Sequence, residues 1–429
     1  MNYQECIKYI EHSENKKRQT DNTRMFDLMD RLSHPQNKLH FIHVAGTNGK
    51  GSCVASLSSI LKEAGYKVGM YTSPHLIKYE ERMMINGKCI SQKEFISIAS
   101  EIKDITDKMS KEPTVFEKLT AMAFVYFAKK KCDVVVLETG LGGRLDATNV
   151  IYDPDLCILM NIGLEHTEVL GDTIEKIAKE KAGIIKENSD VVAYRSNPKA
   201  LKVFKQVAKE NNARLIIPNF NKVNIVKESI NNQVFDYGDL KNIKLSLLGK
   251  HQFYNAATVI EACNILNTKG YKITSKNIKD GLRRTEWDAR LSVLNKKPLF
   301  ILDGAHNPQC AEALKTSLPK LLGNKKAVIL CGMLKDKDYV SVMKMMKPFA
   351  KEFVCLTPDS SRALDANDLA EVIKKLKCKA TVANSVKEGI IISLDKAKNN
   401  GVVIAFGSLY LAGYIKDEFY KAYKKWRNK

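Results

Sequence analysis

The 429-residue chain is short of several things that would place it elsewhere. No apolar run approaches the roughly 20 residues that carry a helix across a bilayer. The opening residues Met1-Asn2-Tyr3-Gln4-Glu5-Cys6-Ile7 lack the charged-then-apolar layout of a signal peptide. A membrane role is therefore not expected. The ten cysteines are scattered, with no Cys-x-x-Cys pair, which argues against a disulfide framework. Cys132, Cys157 and Cys331 sit in apolar segments, where a reduced thiol packs as a small hydrophobe, so a cytoplasmic location is expected. Acidic residues are outnumbered, 48 against 69 Lys and Arg, for a net charge of +21. Such an excess raises nucleic acid as a partner, but the lysines are spread along the chain and no aromatics are interleaved for base stacking. The charge reads instead as a lysine-rich solvated surface that also draws in small polyanions, and no nucleic-acid partner is expected.

Internal repeats, Pro-rich linkers and low-complexity tracts are missing as well. What remains is an alternation of β-like apolar runs with helical patterns, the signature of parallel α/β sheets. In the first part, strands are expected at 39–45, 67–72, 133–138, 156–162, 190–194 and 214–217, and helices at 52–64, 118–131, 174–185 and 200–211. A small β meander is expected over 235–248, then a helix over 255–266. A second series begins near residue 299, with strands at 299–303, 327–331, 353–356, 380–382 and 402–406. The pattern lapses into polar residues over 283–297, so we divide the chain into a domain at 1–288, a linker at 289–297 and a domain at 298–429.

The most informative stretch is Phe41-Ile42-His43-Val44-Ala45-Gly46-Thr47-Asn48-Gly49-Lys50-Gly51-Ser52. A strand enters a glycine turn carrying one Lys, and a helix with Val54, Leu57, Leu61 and Ala64 at helical spacing leaves it. In that context backbone N–H groups and a helix N-terminus can cradle phosphate, Lys50 can reach the terminal phosphates and Ser52 can address Mg²⁺. Gly51 stands between the Lys and the Ser, a departure from the commonest spacing. An ordinary strand–turn–helix would use glycines too, but rarely with Lys and Ser together at the turn.

Other polar residues follow strands in the same manner, where open α/β sheets bind ligands. Glu138 ends Val134-Val135-Val136-Leu137-Glu138 and precedes Gly140, Gly142 and Gly143; it could hold Mg²⁺ or cap the next element. His166 follows the 156–162 strand and suits metal or phosphate, although a lone His is usually structural. Ser73 follows a strand and alone would be a turn residue. Lys181 lies toward the apolar side of its helix beside Ala178, Ala182 and Ile185, where burial would lower its pKa. In the second part, Asp303 and His306 end one strand and Ser408 another, while Arg290 could meet phosphate across a cleft or be a solvated linker residue.

Taken together the strings His43 to Ser52, Thr72 to Leu76, Glu81-Arg82, Phe116-Glu117, Glu138 to Asn149, Leu164 to His166, Glu180 to Ile184, Leu302 to Pro308 and Phe406 to Gly413 resemble the folylpolyglutamate synthase/dihydrofolate synthase family of the Mur ligase superfamily. They span nearly the whole chain in the family's order. The resemblance implies a P-loop-containing central domain of Mur ligase type plus a smaller Rossmann-like C-terminal α/β domain. It also implies ATP-dependent ligation of L-glutamate to dihydropteroate or a reduced folate, by a monomer. Asn48, Gly49, Lys50 and Gly51 would hold the ATP phosphates, Asn255 the adenine, and Arg290 and Asp303 would close on the nucleotide. Ser73, Glu138 and His166 would reach Mg²⁺, and a carbamylated Lys181 would supply a further oxygen ligand. Phe116, Glu117, Leu145, Asp146 and Ala147 would meet the pterin, with His306 and Ser408 on the substrate side of the second domain. One departure is visible: where the family usually shows Pro-Gly-Arg, this chain has Asp288-Ala289-Arg290. The competing reading, which the net charge favours, is a P-loop NTPase acting on nucleic acid.

Overall fold

The computed structural model describes residues 1–12 and 21–427. Among them the strands form three sheets. The largest comprises β1 (Phe41–Ala45), β2 (Val68–Tyr71), β3 (Met83–Ile85), β4 (Lys88–Cys89), β5 (Val134–Glu138), β6 (Leu156–Leu159), β7 (Asp190–Ala193) and β8 (Arg214–Ile216). Their order is β4-β3-β2-β5-β1-β6-β7-β8. The run from β2 to β8 is parallel, and β3 and β4 add an antiparallel edge. Every residue of β1, β2, β5 and β6 is buried, which explains why these strands read as apolar runs broken only by His43 and by Glu138 at the end of β5. Helices Lys50–Glu63 and Lys250–Thr268 cover one face together with the meander, while Gln92–Thr106 and Val115–Lys129 cover the other.

The meander is β9 (Val223–Ser229), β10 (Asn232–Tyr237) and β11 (Leu240–Leu245), antiparallel throughout. It begins well before the expected 235, because the half-exposed β9 alternates polar and apolar residues and carries no apolar run. The last sheet holds β12 (Ser292–Lys296), β13 (Leu299–Leu302), β14 (Ala327–Cys331), β15 (Ala350–Cys355), β16 (Ala380–Val382) and β17 (Val402–Phe406), ordered β12-β13-β17-β14-β15-β16. Here the linker expected at 289–297 needs correcting. Residues 292–296 form β12, an antiparallel edge strand on β13. An edge strand needs only one apolar face and one bonded partner, so its sequence looks like a polar connection.

In the first sheet the chain moves outward from β1 through β2 to β4, then returns past β1 to β6, β7 and β8. Such a reversal leaves a crevice at the carboxyl ends of the strands. The loops after β1, β2, β5 and β6 all open there.

Candidate active site

The loop after β1 is pinned across that crevice, with Thr47 and Asn48 donating their backbone N–H groups to the Asn161 carbonyl at 2.8 and 3.2 Å. Gly49 turns the chain with φ +90°, and a Cβ there would lie 3.0 Å from Asn255 Oδ1, so glycine is needed on both counts. Helix Lys50–Glu63 then starts with no side chain capping it. Its first N–H groups and the positive end of its dipole thus face the crevice.

Two lysines meet here. Lys50 Nζ donates to the Gly46 carbonyl at 2.9 Å and lies 4.0 Å from Glu138 Oε1. Lys181 Nζ, only 1% exposed as a residue, donates to the same carbonyl at 2.8 Å and to Glu165 Oε1 at 2.8 Å. Burial lowers the Lys181 pKa to about 8 against the pull of Glu165. Burial pushes the Glu165 carboxyl up, but Lys181 and Lys50 outweigh it and hold it below its ordinary value. Burial likewise raises the Glu138 pKa, opposed by Lys50, the Ser73 N–H, Arg290 and Arg82. Ser73 donates its backbone N–H to Glu138 Oε2 at 3.3 Å, which places both residues at one spot. His166 follows β6 in a left-handed conformation with an exposed ring, and partial desolvation by its surroundings lowers its pKa. Ser52 is buried and its hydroxyl accepts from Gln252 Nε2 at 3.2 Å. The helix therefore turns it inward rather than toward a metal.

The second sheet brings a further set. Arg290 and buried Asp303 are electrostatic partners; burial raises the Asp303 pKa and Arg290 opposes it. The Asp303 carboxylate accepts the N–H groups of Leu291 and Ala305, each at 2.8 Å. His306 Nδ1 bonds the Gly304 carbonyl at 2.8 Å, so Nδ1 carries the proton and Nε2 is left as an acceptor. Burial lowers its pKa. Ser408 accepts the Leu411 N–H at 3.0 Å and caps the C-terminal helix. Asn255 donates to Gln252 and stands against Gly49 of the loop. Where helix Pro308–Leu322 begins, Gln309 accepts from the Asn48 amide and the Cys310 thiol lies 3.4 Å from Asn48 Oδ1. The two sheets are thus joined at the glycine loop itself.

A cavity of about 1020 Å³ lies between them, lined among others by Gly51, Ser73, Glu138, Trp287, Arg290 and Lys416. None of Phe116, Glu117, Leu145, Asp146 and Ala147 lines it. Those five sit elsewhere. Phe116 packs on Gly140 and against Tyr71. Glu117 forms a capping box with Thr114 and a two-pronged pair with buried Arg24 at 2.7 and 3.0 Å. Asp146 accepts from the Leu141 N–H, the Thr148 N–H and the Thr148 hydroxyl. Leu145 is half-buried and Ala147 buried.

Residues 44–263 match the Mur ligase middle domain, and 289–409 match the Mur ligase glutamate ligase domain. Over 412 residues the chain is 36% identical to the dihydrofolate synthase/folylpolyglutamate synthase of Bacillus subtilis, covering 92% of this chain and 93% of that one. The chain belongs to the folylpolyglutamate synthase/dihydrofolate synthase family. It is accordingly an ATP-dependent ligase that forms an amide bond. Among solved structures, Escherichia coli FolC in complex with DHPP and ADP superposes with a TM-score of 0.87 at 30% identity, covering 99% of each chain. A folylpolyglutamate synthase–AMPPCP–folate complex gives 0.85 at 30% identity, over 98% of this chain and all of that one.

In this family member, several residues of the cluster stand outside the set expected from the sequence. Glu165 appeared only as a neighbour of His166, yet it is the partner of Lys181. Gln309 and Cys310 follow the Leu302 to Pro308 string directly and carry the contact with Asn48. His43 lies inside the first string, wholly buried, with Nε2 2.8 Å from the Thr148 hydroxyl and Nδ1 without a hydrogen-bond partner. A lone polar residue inside an otherwise apolar strand is the signal that could have marked it.

Proposed function

We propose that this protein uses ATP to join L-glutamate to the carboxylate of dihydropteroate or a reduced folate. The observation that carries the reading is the meeting of Lys50 and Lys181 on the Gly46 carbonyl, at an uncapped helix N-terminus beside Glu138. Asn48, Gly49, Lys50 and Gly51 would hold the ATP phosphates, and Asn255 would meet the adenine. Lys50 balances the charge of the γ-phosphoryl group as it passes to the substrate carboxylate, giving an acyl phosphate and ADP. The glutamate amine then attacks the acyl carbon, a tetrahedral intermediate forms, and phosphate leaves as the amide bond closes. Arg290, Asp303, His306 and Ser408 act from the second domain, which also shields the acyl phosphate from water.

Among the described residues no three His, Cys, Asp or Glu side chains converge on one point. The donor set still fits Mg²⁺, which takes one or two carboxylates and completes its shell with water and phosphate. Glu138 and Ser73, with His166, are the residues that would hold it, and the ion would supply charge neutralisation for the transferring phosphoryl group. Lys181 suits carbamylation, in which a neutral amine adds CO₂ and releases a proton. With a pKa of about 8, roughly a tenth of Lys181 is neutral at pH 7, against well under a thousandth of an ordinary lysine. A carbamate beside Glu165 would set two anions together, and a bound cation relieves that repulsion.

Phe116, Glu117, Leu145, Asp146 and Ala147 are assigned to the pterin end. Apart from Phe116 and Leu145, their side chains are committed internally, so they shape that end through backbone and ring surface. We read the protein as a monomer without a nucleic-acid partner. Phosphate release, measured with dihydropteroate and tetrahydrofolate offered separately, tests the whole reading. Turnover should require both glutamate and one of the two acids. ATP hydrolysis that needs neither and rises with DNA or RNA would overturn it.

A further inference from the structure

The segment joining the two sheets is anchored at both ends within three residues. Trp287 is half-buried and packs against the core shared by β1, β5 and helix Lys50–Glu63. Ala289 is fully buried in the core of the second sheet, and its carbonyl accepts the Gly304 N–H at 2.8 Å. Only Asp288 lies between them, exposed and paired with Lys416 of the C-terminal helix. Whatever rotation the second sheet makes against the first must pass through this point, because a hinge is the short stretch that both bodies leave unpacked.

The anchor on the first side is itself part of the glycine loop. A Cβ built on Gly51 would lie 2.8 Å from both Cζ2 and Nε1 of Trp287, so the indole rests directly against the first turn of helix Lys50–Glu63. That turn presents the N–H groups assigned above to the ATP phosphates. On the far side of Asp288, the next residue but one is Arg290, the electrostatic partner of both Glu138 and Asp303. A shift of the loop by a few tenths of an ångström therefore has a rigid aromatic plate to push on, one residue from the hinge.

We propose that Trp287 is a positioning residue that couples occupancy of the phosphate loop to the setting of the second domain. Its indole reads the first turn of the helix and transmits the change through Asp288 to Ala289 and Arg290. The proposal rests on the assignment of the loop to ATP, and the two can fail separately.

The chain holds two tryptophans. The other, Trp426, bonds Asp395 and packs on Tyr423 and the core of the second domain. Trp426→Phe thus leaves Trp287 as the sole tryptophan, read with excitation selective for indole, with basal activity intact. Titration with AMPPCP, with binding followed in parallel by calorimetry, should shift the Trp287 emission at the same midpoint as the heat. Trp287→Leu should bind AMPPCP within about threefold of the parent while kcat falls about tenfold or more, and Trp287→Phe should recover much of that loss. Small-angle scattering should show the parent compacting on AMPPCP with its acid substrate, and Trp287→Leu failing to do so. Binding by calorimetry with no change in Trp287 emission would overturn the coupling, as would a Trp287→Leu enzyme that compacts and turns over like the parent. Weaker AMPPCP binding at unchanged kcat would also overturn it, by making Trp287 a plain nucleotide contact. If AMPPCP does not bind at all, it is the ATP assignment that fails.

Discussion

The glycine loop after β1 and the loop after β5 lie at the same end of one sheet, yet they treat charge in opposite ways. After β5, the polar side chains close on one another. Asp146 is filled by Leu141 and Thr148, Asn149 donates to the Arg144 and Gly183 carbonyls, and on the adjoining helix before β5 Glu117 is filled by Arg24 and Thr114. At the glycine loop, two amines, buried Lys181 and half-buried Lys50, share a single carbonyl, Glu138 is buried with Lys50 no nearer than 4.0 Å, and the helix start has no side-chain cap. Buried polar groups are ordinarily satisfied. A place where cations crowd an uncapped helix N-terminus is prepared for an anion from outside, whereas a closed network is prepared to hold its own shape.

The widest gap between the two regions should appear on removing the loop cations. Lys50→Ala should lower kcat/KM by about 10²–10³ or more, the cost of losing a preorganised charge at a transferring phosphoryl group. Its melting temperature should stay within a few degrees of the parent, since Lys50 packs against loop carbonyls rather than core. Near-normal turnover at saturating ATP would remove Lys50 from the mechanism and erase the contrast.

Lys181→Ala should be nearly as inactive, and a small carboxylate added to the buffer should restore part of the rate. The pH dependence has a definite sign. The amine is protonated below a pKa of about 8, and only the neutral form adds CO₂. At fixed, limiting dissolved CO₂, activity should therefore climb between pH 7 and 8 and flatten at saturating CO₂. A profile indifferent to CO₂, with an active Lys181→Ala enzyme, would return Lys181 to an ordinary buried ion pair.

How much of this contrast the sequence carried depends on the kind of signal. The buried strands β1, β5, β6, β14 and β17 were legible because parallel strands covered on both faces must be apolar throughout. Lys181 was legible as a lysine on the apolar side of its helix, and it is buried. The β12 edge and the half-exposed β9 were not, since neither carries an apolar run. Nor could periodicity show that Asp146 and Glu117 spend their carboxylates on local donors. Hydrogen-bond saturation is a property of three-dimensional neighbours such as Arg24, which lies 93 residues from Glu117.

Asp146→Ala tests the closed loop from its own side. The substitution strands the Leu141 and Thr148 N–H groups, which at about 1–3 kcal/mol for each buried donor left unmade is a substantial loss. Thermal unfolding should fall by several degrees, and KM for dihydropteroate should rise much more than KM for ATP as the loop loses its shape. An unchanged melting temperature with a raised KM for dihydropteroate would mean that the carboxylate meets substrate directly, and the contrast between the loops would narrow.

The smallest effect is expected at the hinge, where this chain departs from the family's usual Pro-Gly. Ala289 holds φ +54°, a left-handed conformation that costs an L-residue with a Cβ on the order of 1–2 kcal/mol. Asp288 at the preceding position adds the pair with Lys416, exposed enough to contribute little. Ala289→Gly removes the strain but also enlarges the conformational freedom of the unfolded chain, by about 0.4–1 kcal/mol. The balance favours the folded state by roughly 0.5–1 kcal/mol, or a few degrees at most in the unfolding of the second domain. Because the Ala289 carbonyl would still accept the Gly304 N–H, kcat and KM should be nearly unchanged. A drop in stability would mean that the methyl group contributes more to the second core than the strained backbone costs. In that case the alanine would be a packing choice of this chain rather than a tolerated departure.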